Sequence, residues 1–461
     1  MMNLFGMERT RVGRHLMSAS RDSALHLRLI NIGHLLSGNF LSAFIALLSV
    51  GVAARALGPA SYGILTLVIS YTRLIERIVR FESWQPLIKY AADLTGDNDK
   101  EDLRNLYAFG LALDVSAALA AAVSAALLAV VAGALFGLKA DYIGLVFIYC
   151  IALALNITGM PAAVLRLAGR FRTIAYTQIL ANLIRIPLCL AGLWWGGDLL
   201  YFVIVWSGAQ IFGVALFFIL AMLELRQQGI HNLFRARLRG IGKRFPGIMG
   251  FAWSSNLSMT LRASAQEFDV LLVGALASPA AAGLYYIAKR IAKAAQQLGA
   301  QVQTVLYPDV ARLWAKNAYR AFRKAVLQVQ LFLALFGICT LIALALFGHW
   351  LIRIGLGEAY MAVWPLLMVQ LIAVIFTLHS APSRSALLAM GRQHQVLQIV
   401  LAGTFVFHAS ALLLIPSIGA MGANIAHVLL ASICAVAMDY VWLLEISRRQ
   451  RARSNQPAKV G

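Results

Sequence analysis

Uncharged apolar runs recur along this chain at residues 29–54, 115–138, 142–165, 199–223, 325–352 and 359–383. A bilayer core about 30 Å thick takes about 20 residues of α-helix to cross, so each run predicts one span. The stretch 393–438 is too long for one crossing, and Pro416, Gly419 and Gly422 divide it into two helices. With the more polar segments between these runs, the pattern predicts twelve spans, near 33–55, 63–85, 106–132, 142–164, 173–195, 199–223, 246–273, 282–307, 325–348, 360–387, 394–415 and 418–444. The expected fold is all-α and polytopic, because a helix satisfies its own backbone hydrogen bonds in lipid.

The order of polar and turn-forming residues repeats after 217 to 222 positions. Asn39, Pro59, Gly63, Pro86, Pro161 and Gly169-Arg170 return as Asn256, Pro279, Gly283, Pro308, Pro382 and Gly391-Arg392. A duplicated polytopic unit implies two pseudo-symmetric six-helix lobes around a central cavity, the arrangement of many transporters. The expected segments are a basic N-terminal region 1–32, a first lobe 33–224, a basic linker 225–245, a second lobe 246–446 and a basic tail 447–461. Residues 16–30 read either as an interfacial helix or as a disordered basic tail.

Composition agrees with a membrane protein: 61% of the 461 residues are hydrophobic and 13% charged, with a mean hydropathy of +0.76. The net charge of +21 is no nucleic-acid signal, because it is sorted by topology. Of 40 Lys and Arg, eight fall within helices, three (Arg55, Lys139, Arg353) in one set of loops, and 29 in the other loops and the tails. Basic residues stay on the cytoplasmic side, which predicts both termini inside. Trp194, Trp195, Trp206, Trp350 and Trp364 read as anchors at the outer interface. Cys150, Cys189, Cys339 and Cys434 lie in apolar helices and read as small buried thiols, with no metal pattern. No loop is large enough for a nucleotide or sugar-transfer site, and no phosphate-binding Gly-rich loop is present, so no cofactor and no enzyme activity are expected.

The candidate chemistry is in the intramembrane charges, each costing about 3 kcal/mol on insertion scales unless it meets water or a partner. Arg73, Arg77 and Arg80 share one face of the second helix, with Glu76 placed to pair with Arg80. Lys289 and Lys293 share a face of the eighth helix, beside Arg290, and Lys293 corresponds to Arg73 in the repeat. Either these residues snorkel to the cytoplasmic interface, or they face a cleft between 63–85 and 282–307 that attracts an anion. Guanidinium matches phosphate oxygens bidentately, so such a cleft suits a diphosphate. Arg262 lies on the seventh helix, whose polar residues should line the central path; with Glu267 or Asp269 it forms either a gating or ion-coupling pair or a structural salt bridge. Asp114 and Arg185 are single charges that would pair with each other, and His379, His408 and His427 read first as hydrogen-bonded packing residues, with proton carriage as the alternative.

The stretch Ala53-Ala54-Arg55-Ala56-Leu57-Gly58-Pro59-Ala60-Ser61-Tyr62-Gly63 follows an apolar helix containing Asn39. It resembles the opening of polysaccharide-biosynthesis (Wzx-type) flippases, the polysaccharide transport branch of the multidrug/oligosaccharidyl-lipid/polysaccharide exporter superfamily. Gly169-Arg170 before Thr177-Gln178, and Pro279 to Tyr285, are similar to the same family. The resemblance implies that an undecaprenyl-diphosphate-linked oligosaccharide is flipped across the bacterial inner membrane by alternating access, coupled to an H+ or Na+ gradient. It serves lipopolysaccharide, capsule or exopolysaccharide synthesis alongside polymerase and chain-length proteins. Substrate-binding candidates are then Asn39, Arg73, Arg77, Arg80, Asn256, Arg262, Lys289 and Lys293; gating or ion-coupling candidates are Glu76, Asp114, Arg185, Glu267 and Asp269. The competing readings are a multidrug–cation antiporter, which would favour acidic cavity residues, and a non-transporting scaffold of a polysaccharide assembly complex.

Overall fold

The computed structural model describes residues 5–454 except 82, 93, 95–98, 234, 235, 239, 254, 255 and 257–266; side chains of 5–40, 132, 134, 298–305, 307, 308 and 452–454 lie outside the description as well. Asn39 and Arg262 therefore lie outside the described side chains, as does most of the polar seventh helix. Fifteen α-helices are described: α1 (Phe5–Val79), α2 (Trp84–Ala91), α3 (Lys100–Ala132), α4 (Ile143–Ala154), α5 (Gly159–Leu167), α6 (Phe171–Leu183), α7 (Arg185–Trp195), α8 (Leu199–Gln227), α9 (Ile241–Arg244), α10 (Phe268–Leu276), α11 (Pro279–Ala315), α12 (Tyr319–Gly355), α13 (Val363–Ala389), α14 (Gln393–Ile418) and α15 (Ala420–Ser454).

Nine stretches among the described residues are long and apolar enough to cross a membrane. One of them, Leu41–Val79, has 39 residues, enough for two crossings. It is broken at Gly58, whose φ of 71° and ψ of 168° are not helical. α11 is long enough to span but too polar to be counted among the nine, and α10 ends the seventh crossing. The result is the expected twelve-helix, two-lobe membrane fold.

Prolines decide where spans break. Pro161 and Pro187 are each the third residue of a helix, α5 and α7. A proline ring clashes with the carbonyl four residues back, so neither helix continues from the one before it. The fourth span is thus α4 and α5 around a break at 155–158, and the fifth is α6 and α7 around Ile184. The break in the fourth span leaves amides unpaired, and buried Asp114 on α3 accepts from Met160 N at 2.5 Å and from Ser83 N at 3.3 Å. Gly159 is required there, because a Cβ would overlap the Asp114 carboxylate.

The repeat is visible in detail. Gly169 and Gly391 both adopt left-handed φ, 69° and 74°, and the amides of Arg170 and Arg392 each close a turn at 2.8 Å onto Leu165 O and Leu387 O. Each arginine then pairs with a glutamate of the next span: Arg170 with Glu224 at 2.8 Å, Arg392 with Glu445 at 2.7 Å. The glutamates were not part of the sequence pattern, yet they obey the same offset.

The lobes meet at one end of the bundle. Gly63 and Gly283, equivalent in the repeat, pack backbone to backbone: a Cβ on Gly283 would lie 2.9 Å from Gly63 Cα, and one on Gly63 would overlap the Pro279 carbonyl. Ser278 caps α11 by accepting from Ala281 N at 3.1 Å, and Pro279 pre-sets its first turn. Arg55 donates to Ile354 O at 3.1 Å, and the Tyr360 hydroxyl to Ala54 O at 2.8 Å. At the opposite end, the linker lies on the first lobe through an Arg244–Asp102 ion pair, and Tyr90 Oη donates to O of the adjoining Pro246 at 2.8 Å.

Two expectations are corrected. Trp206 is not an interface anchor; it is 4% exposed, whereas Trp194 is 88% exposed. The ring is held inside because the Arg185 guanidinium lies over it. Cys339 is exposed rather than buried, on α12.

Two substitutions test these constraints. Gly63→Val should destabilise by about 1–3 kcal/mol through overpacking, lowering the midpoint of thermal unfolding in detergent, while Gly208→Val, where the added carbons meet open space, should leave it unchanged. Asp114→Ala should cost about 1–3 kcal/mol for each amide left unpaired; Asp114→Asn, which keeps an acceptor, should lose less. Equal midpoints for Asp114→Ala and the unaltered protein would contradict the role of Asp114 as a tie.

Candidate functional site: a basic cavity in the first lobe

The two proline breaks open onto one cavity of about 550 Å³, lined by residues of α1, α2, α5, α6, α7 and α8 together with Thr158. It runs from Trp84 and Arg166, at the end away from the Gly63–Gly283 contact, to Arg185 and Gln210 near the middle of their spans. Three guanidiniums line it: Arg73, Arg166 and Arg185. Among the described lining residues there is no carboxylate.

Each guanidinium is held by aromatic or hydroxyl groups. Arg166 lies 4.1 Å from the Trp84 ring and Arg185 4.9 Å from the Trp206 ring, geometries in which the ring face attracts the cation. Arg73 donates to the Tyr286 hydroxyl across the lobes at 3.5 Å, and Arg290 donates to the same oxygen at 3.4 Å. Neither Arg73 nor Arg185 makes an ion pair among the described residues, and Arg185 Nε is buried without a hydrogen-bond partner. Positive charge is therefore concentrated in a confined space, and among the described residues no carboxylate touches Arg73 or Arg185. Amides complete the wall: Asn182 donates to Ser42 Oγ at 2.7 Å, and Gln210 accepts from the Tyr149 hydroxyl at 2.7 Å.

The sequence-predicted residues distribute unevenly around this cavity. Of the substrate candidates, Arg73 lines it. Arg80 stands beside it, bound to Glu76 at 2.7 Å and to Thr158. Glu76 also accepts from Asn156. Arg77 and Lys293 are exposed. Asn256 is buried and donates to Ala252 O at 2.8 Å. Arg185 and Asp114 do not pair: Asp114 is occupied by the broken fourth span, while Arg185 opens α7 in the fifth. At the Gly63–Gly283 end the segments 63–85 and 282–307 pack directly on each other; the cavity lies beside that contact, and the side chains of 298–305 and 307 lie outside the described residues.

Lys289 belongs to a separate cluster in the second lobe. Its Nζ donates to both oxygens of Asp269, at 2.8 and 2.7 Å; the Tyr285 hydroxyl donates at 2.7 Å and His427 Nε2 lies at 2.8 Å. Asp269 is fully buried, and Glu267 is only half-buried at the turn before α10. Among the described residues, no group of three His, Cys, Asp or Glu side chains is placed to hold a metal ion.

Arg166 is the basic lining residue that sequence reasoning missed, while Arg185, expected as a gating or ion-coupling residue, lines the same cavity. Both sit within a turn or two of a proline inside an apolar span. A basic residue beside a helix break was the available signal, since broken helices in membranes line cavities.

Solved structures share this architecture. Lipid II flippase MurJ in an inward closed conformation is 15% identical, with 90% of each chain covered and a TM-score of 0.69. An inward-facing multidrug resistance MATE family transporter is 14% identical, covering 89% of this chain and 96% of that one, at 0.67. An outward-facing MATE family transporter reaches 0.51 at 13% identity, with 91% and 96% covered. These likenesses concern the fold. Among curated proteins, Inner membrane protein YghQ of Escherichia coli (strain K12) is 30% identical over 348 residues, which is 75% of this chain and 97% of that protein. Residues 52–365 match the family described as "Polysaccharide biosynthesis protein"; with more than half of the chain matched, the protein belongs to that family.

Proposed function

We propose that this protein is a flippase that carries an undecaprenyl-diphosphate-linked oligosaccharide across the bacterial inner membrane during assembly of a surface polysaccharide. One observation carries the reading. Within a polysaccharide-biosynthesis chain, a cavity at bilayer depth holds Arg73 and Arg185 without an ion pair among the described residues. A buried unpaired cation is costly, and a diphosphate supplies the missing charge with oxygens that fit the guanidinium fork. The amides of Gln178, Asn182 and Gln210 in the same cavity suit the hydroxyl groups of sugars.

The mechanism that fits is alternating access. With both termini cytoplasmic, as the sorting of basic residues supports, the Gly63–Gly283 end is the outer end. The lobes are sealed there, and the cavity is reached from the Trp84 end, the cytoplasmic side. Cargo bound between Arg73 and Arg185 neutralises them and lets the lobes rock until the glycine contact parts. The inner-membrane setting is supported by the likeness to YghQ. The absence of a carboxylate among the described lining residues speaks against a cationic drug as cargo.

The test is a double substitution, Arg73→Ala with Arg185→Ala. Surface polysaccharide should fall at least tenfold while membrane levels of the protein stay unchanged, and lipid-linked oligosaccharide should accumulate in the cytoplasmic leaflet. Normal polymer from that variant would remove the basic-cavity mechanism and leave a scaffold role. Restored polymer with lost resistance to cationic drugs would point to the antiporter instead.

A further inference from the structure

The second lobe contains a charged cluster that the basic cavity does not use. Asp269 is 0% exposed at the start of α10, yet it accepts from Lys289 and Tyr285 on α11 and from His427 on α15. A buried carboxylate with a single ammonium beside it is a neutral pair. The imidazole is the variable member. A carboxylate only accepts, so His427 donates through Nε2 and its neutral tautomer leaves Nδ1 without a hydrogen. Nδ1 has no partner among the described residues, and it is not among the buried unsatisfied atoms, so it faces accessible space. The side chain is 21% exposed. Its ring is held between Phe407, 4.6 Å away between centroids, and Tyr285, stacked at 6.4 Å.

We propose that His427 is the proton-binding group of this transporter, taking up one proton at Nδ1 while Asp269 and Lys289 fix its other nitrogen. Uptake changes the cluster from neutral to a net charge of +1 and forms one N–H bond, with the proton drawn from water. From α10 the facing groups are Asp269 and, before it, Glu267; from α11 they are Tyr285 and Lys289, with Arg290 and Tyr286 turned toward Arg73. From α14, His408 reaches Phe407 and bonds Thr404 O at 2.8 Å through Nδ1. From α13, His379 faces Asp439, twelve residues further along α15, as does Gln330 of α12.

The cluster is placed to bias the lobes. Asp269 lies five residues before Gly274, where a Cβ would overlap Leu67 of the first lobe, and Lys289 lies six residues after Gly283. The helices that carry the carboxylate and the ammonium are therefore those that close the outer contact. A charge added at His427 loosens or tightens their hold on each other and so shifts the balance between the two arrangements of the lobes.

This rests on the transporter reading, but its test needs no cargo, so the two can fail separately. Spin labels at Lys100→Cys and Lys316→Cys, in a background without native cysteines, report the distance between lobes by pulsed electron resonance in lipid nanodiscs. From pH 5 to 8.5 the unaltered residues should give two distance populations that exchange by at least threefold. His427→Gln keeps a donor to Asp269 and cannot take a proton, so it should hold one population across the range. His427→Asn carries the same test with a shorter side chain, and His379→Gln and His408→Gln should titrate normally. A pH response that persists in both His427 variants, no response in the unaltered protein, or a response that follows sodium concentration at fixed pH would each overturn the proposal.

Discussion

At Gly63 and Gly283 the two halves of the duplicated chain touch through their backbones, and the rest of the arrangement depends on that contact. No side chain larger than hydrogen fits at Gly63, because the Pro279 carbonyl occupies the space. The contact brings α1 and α11 together at one end, where the Arg55 and Tyr360 bonds add to it. Because the lobes are joined there, the space between first-lobe helices opens toward the other end. The proline breaks in the fourth and fifth spans place Thr158 and Arg185 on its wall. A sealed end and an open end are the geometric content of one state of an alternating-access cycle.

The lobes treat intramembrane charge differently. In the first, the three guanidiniums that line the cavity rest on tryptophan faces or on a tyrosine hydroxyl, partners that hold a cation without neutralising it. In the second, Asp269 is neutralised by Lys289, and Asp439 accepts hydrogen bonds from Ser383 and Trp442 with His379 beside it. The duplication thus kept the helix-end Arg–Glu clamps in both halves and diverged in the interior. One lobe lines its cavity with guanidiniums, and the other buries a carboxylate beside an ammonium.

Span number, the lobes and the glycine turns were legible in the sequence because each has a local cause: apolar length, a repeated offset, or a residue with special backbone freedom. The Glu76–Arg80 pair was legible for the same reason, being one helical turn apart. What was not legible depends on neighbours from other spans. Asp114 was expected to meet Arg185, but backbone amides released by Pro161 claimed it. Trp206 was expected at the interface, but a guanidinium held it inside. Arg77 and Arg73 share a helical face, yet Arg77 is exposed while Arg73 lines the cavity and reaches Tyr286 of the other lobe.

The proposed cargo of this cavity is an anionic lipid-linked sugar, carried from one leaflet to the other. The most direct measurement places the purified protein in liposomes containing a fluorescent undecaprenyl-diphosphate-linked sugar and follows its exposure to a membrane-impermeant quencher. The account predicts that about half of the fluorophore, protected in protein-free liposomes, becomes accessible when the protein is present, and that the monophosphate analogue moves more slowly. Protection identical with and without the protein, or equal transport of an uncharged polyprenyl glycoside, would contradict it.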